Sequence, residues 1–337
     1  MLKFRYCTVV ILALATAIAY GQSPSPAATT AAAAPEGCPA PGERRGGPGA
    51  GGPRAQGVAE QNAAQRPAGV PNREEATSGP PKKRLLIWAD TRNGIAQHES
   101  VGHAEAIIEE LGYKSGLWST WIRTDSNIIA KRPKTTTGDP ASGGPSLCNV
   151  DAIFFLGHRE IELSPEQRAD LLWFVHDAGK GFVGAHTGLT AFESWPQFND
   201  LLGGQFDNHP WNTTSGRLIV TDPKFPGVEN FAKDAAIRDE FYQAKNFRAA
   251  DTHVILRIDP SSVDMTKPQV VAADFPYAMA WAKMYGKGRV FYATFAHADA
   301  TWDDPRVQEL YMGAIKWALG LVDADIAPNP IAPPAAK

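Results

Sequence analysis

The stretch Gly179-Lys-Gly-Phe-Val-Gly-Ala-His-Thr-Gly188 decides the fold that the sequence predicts. Phe182 and Val183 have high β propensity, and the glycines on both sides of His186 allow a sharp backbone turn directly after them. A strand entering a glycine-bounded turn is the arrangement of the nucleophile elbow, G-x-S-x-G in hydrolases. An imidazole serves as acid, base or ligand and rarely as the attacking group. The stretch therefore predicts either a site without serine or cysteine chemistry or a structural histidine.

Apolar runs that alternate with helical segments extend this pattern along the chain. The runs Arg84–Ala89 and Asp151–Leu156 have no polar interruption, which is typical of parallel strands buried on both faces. Ser164-Pro-Glu-Gln167 predicts a helix start, with a Ser cap, Pro at the first position and Gln as in a capping box. Two β-rich runs around Gly286-Lys-Gly288 predict a hairpin. We expect an α/β fold, a flavodoxin-like doubly wound, mostly parallel sheet with flanking helices and a small hairpin extension.

Composition divides the 337 residues into four segments. Residues 1–21 carry basic residues, an apolar run and then small residues, which predicts a signal peptide and an exported protein, periplasmic or secreted. Residues 22–81 are rich in Pro, Ala and Gly, which predicts a disordered linker that buries little apolar surface. The α/β domain is expected over 82–322, followed by a disordered Pro/Ala-rich tail over 323–337.

Charge and cysteine content narrow the classes of partner. The formal net charge is −3, and no basic cluster is interleaved with aromatics, so no nucleic-acid partner is expected. No stable membrane span is expected after signal cleavage. An oxidising compartment would let Cys38 and Cys148 pair, although the position of Cys38 in the linker argues against a structural disulfide. The absence of a C-x-x-C pair argues against thiolate zinc and thioredoxin-type sites.

Polar side chains follow the predicted strands, where open α/β sheets bind ligands. Asp90 follows the first strand, and His98 lies at the start of a helix predicted over Gln97–Leu111. His209 precedes a proline, which keeps its backbone extended. The chain also places two carboxylates beside aromatic residues and further polar or aromatic residues in and after the hairpin, which adds the candidates Asp239, Glu240, Tyr242, Arg289, His297 and Trp302.

Four motifs, in order, resemble one known family. They are Gly-Phe-Val-Gly-Ala-His186-Thr-Gly, Leu-Leu-Gly-Gly-Gln-Phe-Asp-Asn-His209-Pro, Asp239-Glu240-Phe-Tyr242 and Gly286-Lys-Gly-Arg289-Val-Phe-Tyr-Ala-Thr-Phe-Ala-His297. The succession resembles the ThuA-like family, named for a trehalose-utilisation protein, within the class I glutamine amidotransferase-like superfamily. That superfamily has a cysteine where this chain has His186, so amidotransferase chemistry is not expected. The resemblance implies a role with trehalose, related disaccharides and their 3-keto derivatives.

Two chemical hypotheses remain open. In the first, Glu240 or His186 removes the proton α to the carbonyl of a 3-keto-glycoside, and the enolate expels the glycosidic oxygen in a lyase- or hydrolase-type reaction. His297 or Arg289 would stabilise the developing negative charge. In the second, His186, His209 and Glu240 hold a divalent metal, the one cofactor that the sequence suggests.

A non-catalytic sugar-binding module is the alternative to an enzyme. Aromatic rings near the motif loops would then stack on sugar faces, as Trp195, Trp211, Tyr242 and Trp302 are placed to do. For the enzyme, the predicted catalytic residues are His186, Glu240 and His297. Substrate binding is predicted for Asp90, His98, His209, Asp239, Tyr242, Arg289 and Trp302. The expected partner is a small sugar, and oligomerisation stays open.

Overall fold

A computed structural model describes most of the predicted domain and little of what precedes it. The described residues are 37–38, 82–92, 98–135, 137–141, 145–233, 235–270 and 277–331. The predicted signal peptide, and the linker apart from residues 37–38, lie outside them.

Strands and helices alternate through the first half of the described chain, and strands dominate the second half. The strands are β1 (Lys83–Trp88), β2 (Trp118–Arg123), β3 (Ala152–Phe155), β4 (Gly181–Ala185), β5 (Gln205–Asn208), β6 (Thr213–Val220), β7 (Ala236–Glu240), β8 (Gln243–Lys245), β9 (His253–Ile258), β10 (Ala278–Tyr285) and β11 (Gly288–Ala293). The α-helices are α1 (Ser100–Ser115), α2 (Pro165–His176), α3 (Pro196–Leu202), α4 (Asp299–Trp302) and α5 (Pro305–Ala318).

One nine-stranded sheet organises the domain, in the order β2-β1-β3-β4-β11-β10-β9-β6-β7. The first five strands are parallel neighbours, and their order is the 2-1-3-4-5 order of flavodoxin-like folds. The last four continue the sheet in antiparallel fashion. Strands β5 and β8 form a separate two-stranded sheet. The predicted flavodoxin-like α/β fold with flanking helices is confirmed.

The predicted hairpin, β10–β11, is an interior part of the sheet and not an extension at its edge. β11 pairs in parallel with β4, and β10 pairs with β9 on its other side. The reason is burial, since Val290, Phe291 and Tyr292 are fully buried and need cover on both faces of the sheet. This position places the residues after β11 next to the turn after β4.

Local signals set the helix boundaries. Ser164 caps α2 as predicted, because its hydroxyl accepts the N–H of Gln167 while the Gln167 side chain accepts the N–H of Ser164. Helix α1 runs to Ser115 and is closed by Gly116, whose φ is 69°, so it extends beyond the end predicted at Leu111. Position 112, inside this helix, requires a glycine because a Cβ there would approach the Trp118 indole to 2.3 Å.

The segments on either side of the domain are both attached to it. A disulfide joins Cys38 to Cys148, a pairing that the sequence left open and that the position of Cys38 in the linker argued against. Residues 323–331, assigned above to a disordered tail, lie against the sheet, because the Asn329 side chain bonds both the N–H and the carbonyl of Val254. Within the part of the chain that the structure describes, no helix combines the length and apolar character needed to cross a bilayer.

Candidate active site

Four ionisable side chains from separate segments meet at the carboxyl edge of the parallel strands. His186 follows β4, His297 follows β11, Glu240 ends β7 and His98 lies just before α1. One nitrogen or oxygen atom from each lies within 4.8 Å of the others. We call these four residues the histidine cluster. The catalytic residues predicted from the sequence are therefore together in the structure.

The core of the cluster is a triangle of three atoms. Nε2 of His186 lies 3.2 Å from Nδ1 of His297 and 3.3 Å from Oε2 of Glu240. Nδ1 of His297 lies 3.2 Å from the same carboxylate oxygen. The ring of His98 meets the rings of His186 and His297 edge-on, with centroids 5.0 and 4.6 Å away.

His186 is held in a defined orientation at the turn. Its Nδ1–H donates to the carbonyl of Thr294 at 2.7 Å, so Nε2 is the nitrogen that faces the cluster. The Tyr292 hydroxyl donates to the carbonyl of His186, and the ring of Tyr242 stacks on the imidazole at 4.0 Å. The φ of His186 is 34°, in the left-handed region that costs a residue with a Cβ about 1–3 kcal/mol. These contacts stabilise a strained backbone that aims one imidazole nitrogen.

Asp239 positions the loop that carries His297. Its buried carboxylate accepts the backbone N–H groups of Glu240, Ala296 and His297 at 2.6–3.0 Å. The hydroxyl of Ser100 donates to the carbonyl of His297, which ties the same loop to the start of α1. Asp239 was predicted to bind substrate; in the structure its oxygen atoms accept backbone N–H groups, two of them from the loop that carries His297.

Glu240 is the negative charge at the centre of the cluster. Burial opposes its ionisation, yet the imidazoles of His186 and His297 hold the pKa of its carboxyl well below the usual range. Contact with Glu240 in turn raises the pKa of His297, against the effect of burial. Oε1 of Glu240 lies 3.1 Å from Nδ1 of His209, although not along a hydrogen-bond direction. His209 therefore borders the cluster from the outside.

Burial disfavours the charged form of two histidines at or near the cluster, the half-buried His98 and the buried His158. Burial lowers the pKa of His98 to about 3, assisted by the nearby His186 and His297. Burial also lowers the pKa of His158 to about 4, with Arg159 and His186 contributing. His158 follows β3, and its ring centroid lies 5.3 Å from that of His98. It was not predicted, although its position just after the apolar run Asp151–Leu156 is the signal that indicated His186.

Two clefts border the cluster. His98, Ser100 and His297 line one of about 580 Å³, together with the exposed acids Glu99 and Asp299. Phe206 and His209 line another of about 310 Å³. Both volumes lie in or near the range of small-molecule sites. The first cleft gives a ligand direct access to two members of the cluster.

Three of the predicted substrate-binding residues are engaged elsewhere. Arg289 is near the start of β11, at the opposite edge of the sheet, and donates to the carbonyls of Trp317 and Val322. Trp302 is fully buried, and its indole N–H donates to the carbonyl of Ala296. Asp90 is buried and accepts hydrogen bonds from Arg92 and Ser126. Arg289 cannot stabilise charge at the cluster, and Trp302 has no face open to a sugar.

The remaining aromatic candidates also pack inside the domain. Tyr242 is buried between His186 and Phe206, and burial together with Glu240 raises the pKa of its hydroxyl. Trp195 and Trp211 are each about 5% exposed. Stacking of a sugar on these rings is therefore disfavoured.

Fold and site together define an α/β domain of flavodoxin type in which a histidine occupies the elbow after the central strand. A family model described as trehalose utilisation, ThuA, matches residues 84–318. The chain belongs to this ThuA family.

Solved structures show the same fold. A ThuA-like protein from Bacteroides uniformis aligns with a TM-score of 0.54 at 21% identity, over 71% of this chain and 91% of that one. A ThuA-like protein from Parabacteroides merdae aligns with a TM-score of 0.52 at 15% identity, over 71% and 90% of the two chains. No curated protein matches the sequence significantly. At these identities the likeness establishes the fold.

Proposed function

We propose that this ThuA-family protein is an exported enzyme of carbohydrate utilisation that cleaves a 3-keto-glycoside derived from trehalose or a related disaccharide. The observation that carries the proposal is the histidine cluster at the wall of an open cleft, with Glu240 in contact with both His186 and His297. Two hydroxyls close in sequence to cluster residues are committed, since Thr187 donates to the carbonyl of Leu156 and Ser100 to that of His297. Acid/base chemistry fits such a site better than nucleophilic attack.

The reaction follows from the acidity of a proton next to a ketone. The cluster removes the proton from C2 of the 3-keto sugar, and the electron pair forms the enolate. As the C1–C2 double bond forms, the bond from C1 to the glycosidic oxygen breaks, and that oxygen leaves with a proton. Addition of water to the resulting enone would complete a hydrolysis. This elimination needs a group that stabilises the enolate oxygen and a group that gives the proton to the leaving glycosidic oxygen, and imidazoles can do both.

The cleft of His98 and His297 suits a polyhydroxylated ligand. Both imidazoles face it, and the exposed carboxylates of Glu99 and Asp299 supply acceptors for sugar hydroxyls at its rim. Glu240 and His186 are buried and both contact His297. We therefore place the reacting carbons against His98 and His297, and the remaining hydroxyls toward the two acids.

The test compares sugars and variants in one assay. The mature domain is incubated with trehalose, 3-keto-trehalose and a keto-glucoside, and release of the leaving sugar is measured. We expect turnover of the keto sugars only, with His186→Ala and Glu240→Ala lowering it by about 10²–10⁴-fold while circular dichroism shows an intact fold. Glu109→Gln, an exposed change on α1, is the control and should turn over normally. Binding of keto sugars by the unaltered protein without turnover would assign the chain to the alternative, a sugar-binding module.

Export is part of the same proposal. The basic and apolar start of the chain and the Cys38–Cys148 disulfide both support it, because disulfides persist in oxidising compartments. Produced in a bacterium with its own N-terminus, the protein should be recovered outside the cytoplasm. Peptide mass spectrometry without reductant should then find the peptides of Cys38 and Cys148 linked. Recovery in the cytoplasm with free thiols would contradict export.

A further inference from the structure

We infer that the histidine cluster is a binding site for one divalent transition-metal ion of the zinc class. The ligand set is His98, His186, Glu240 and His297, each of which offers one atom within 4.8 Å of the others. The inference builds on the site of the proposed function, but it does not depend on which sugar is the substrate. It also replaces His209, which the sequence suggested as a ligand, with His98.

The dimensions of the triangle fit a metal ion. Its three edges, between His186, His297 and Glu240, measure 3.2, 3.3 and 3.2 Å. Ligands bound to zinc at about 2.0–2.1 Å in tetrahedral geometry are separated by roughly 3.3–3.4 Å. Two imidazole nitrogens and one carboxylate oxygen are thus spaced as on one face of a zinc tetrahedron. His98 offers a ring nitrogen within 4.8 Å of these three atoms and can supply the fourth ligand.

The surroundings fix the ligands as a metal requires. The carbonyl of Thr294 accepts the Nδ1–H of His186, which leaves the lone pair of Nε2 directed at the triangle. A carbonyl or carboxylate that bonds the second ring nitrogen is the usual support of a metal-binding histidine. Asp239 accepts the backbone N–H groups of Ala296 and His297 and so fixes the loop that carries this second imidazole ligand. The cluster therefore has oriented donors as well as short distances.

The donor types select among metals. Three imidazoles and one carboxylate suit zinc, iron, cobalt or nickel, whereas magnesium and calcium prefer oxygen ligands throughout. His186 and Glu240 are buried, while His98 and His297 line the cleft, so an ion would be shielded on one side and reachable on the other. A substrate oxygen in the cleft could bind it directly. With an ion bound, its charge would stabilise the enolate oxygen in place of the imidazoles, and the proton that the proposed function assigns to the cluster would pass instead to a group outside the ligand set.

The experiment measures metal binding without any sugar. The mature protein is stripped with a chelator and titrated with Zn²⁺ and, separately, with Co²⁺. We expect one equivalent of zinc per chain by elemental analysis and visible Co²⁺ absorption bands of the intensity typical of four-coordinate sites. His297→Ala and Glu240→Gln should weaken zinc binding by more than the roughly 10–100-fold typical for loss of a supporting residue.

The matched control is His103→Ala. His103 is a partly exposed histidine of α1 that pairs with Asp303, and its variant should bind zinc as the unaltered protein does. Circular dichroism checks that each variant is folded. Absence of stoichiometric binding, or equal binding by the ligand variants and the control, would overturn the inference. Stoichiometric zinc binding by a protein that turns over no keto sugar would leave the inference intact and refute the proposed function.

Discussion

The two edges of the parallel sheet carry polar groups of opposite character. At the amino edge, Asp151 accepts the N–H of Arg84 and the ammonium of Lys180, each at 2.9 Å, and Arg289 bonds two carbonyls and Asp323. At the carboxyl edge, three imidazoles crowd around a single carboxylate, Glu240. At the first edge each charged side chain has partners of opposite charge or polarity, whereas at the second edge three imidazoles share one carboxylate. The first arrangement stabilises the fold, and the second is typical of a ligand-binding or catalytic site.

The largest expected contrast comes from one substitution at each end of β11. His297→Asn should lower keto-sugar turnover by about 10²–10⁴-fold with little change in the free energy of unfolding, because it removes a group that faces the cleft. Arg289→Met should do the reverse and lower the free energy of unfolding by about 1–3 kcal/mol, because two carbonyls lose their donor. Urea denaturation and the keto-sugar assay on both variants measure the contrast. If Arg289→Met lost turnover without losing stability, the division into a structural amino edge and a catalytic carboxyl edge would be wrong.

A smaller effect is expected at Asp151 and depends on pH. Burial would raise the pKa of this carboxyl, but the N–H of Arg84 and the ammonium of Lys180 outweigh burial and hold the pKa below its usual value. A lowered pKa in the folded state stabilises the protein above the pKa of the unfolded state, near 4, and this contribution is lost as the pH falls further. Asp151→Asn should therefore be less stable than the parent at pH 7 and approach it below about pH 4. Urea denaturation across this range tests the sign, and a difference that does not depend on pH would contradict it.

Local sequence signals predicted the elements that place His186. The run before the turn forms β4, and the capping box at Ser164 starts α2, because both depend on contacts between near neighbours in the chain. His98 and His297 could be brought to the same edge by reasoning that the carboxyl ends of parallel strands coincide. His158 satisfied the same rule and could have been included.

Other site residues depend on tertiary contacts that no local pattern contains. Arg289 was grouped with His297 by closeness in sequence, yet β11 carries the chain about 13 Å between Arg289 and Ala293 at roughly 3.3 Å per residue. Trp302 follows the site in sequence, but its indole is buried against Tyr311. The role of Asp239 depends on the loop of Ala296 and His297, which comes from a distant part of the chain. For the same reason, the sequence could not show that His98, rather than His209, lies with His186 and Glu240 in the proposed metal site.

The disulfide sets the direction in which the domain can be tethered. Cys148 lies just before Asp151, which bonds the first strand near its amino end, so the bridge fixes Cys38 on the side of the sheet away from the histidines. Any anchor or partner that holds the chain ahead of Cys38 thus pulls on the back of the domain. Under such attachment the cleft of His98 and His297 would face away from the attachment point, and reduction of the bridge would remove that constraint on its orientation.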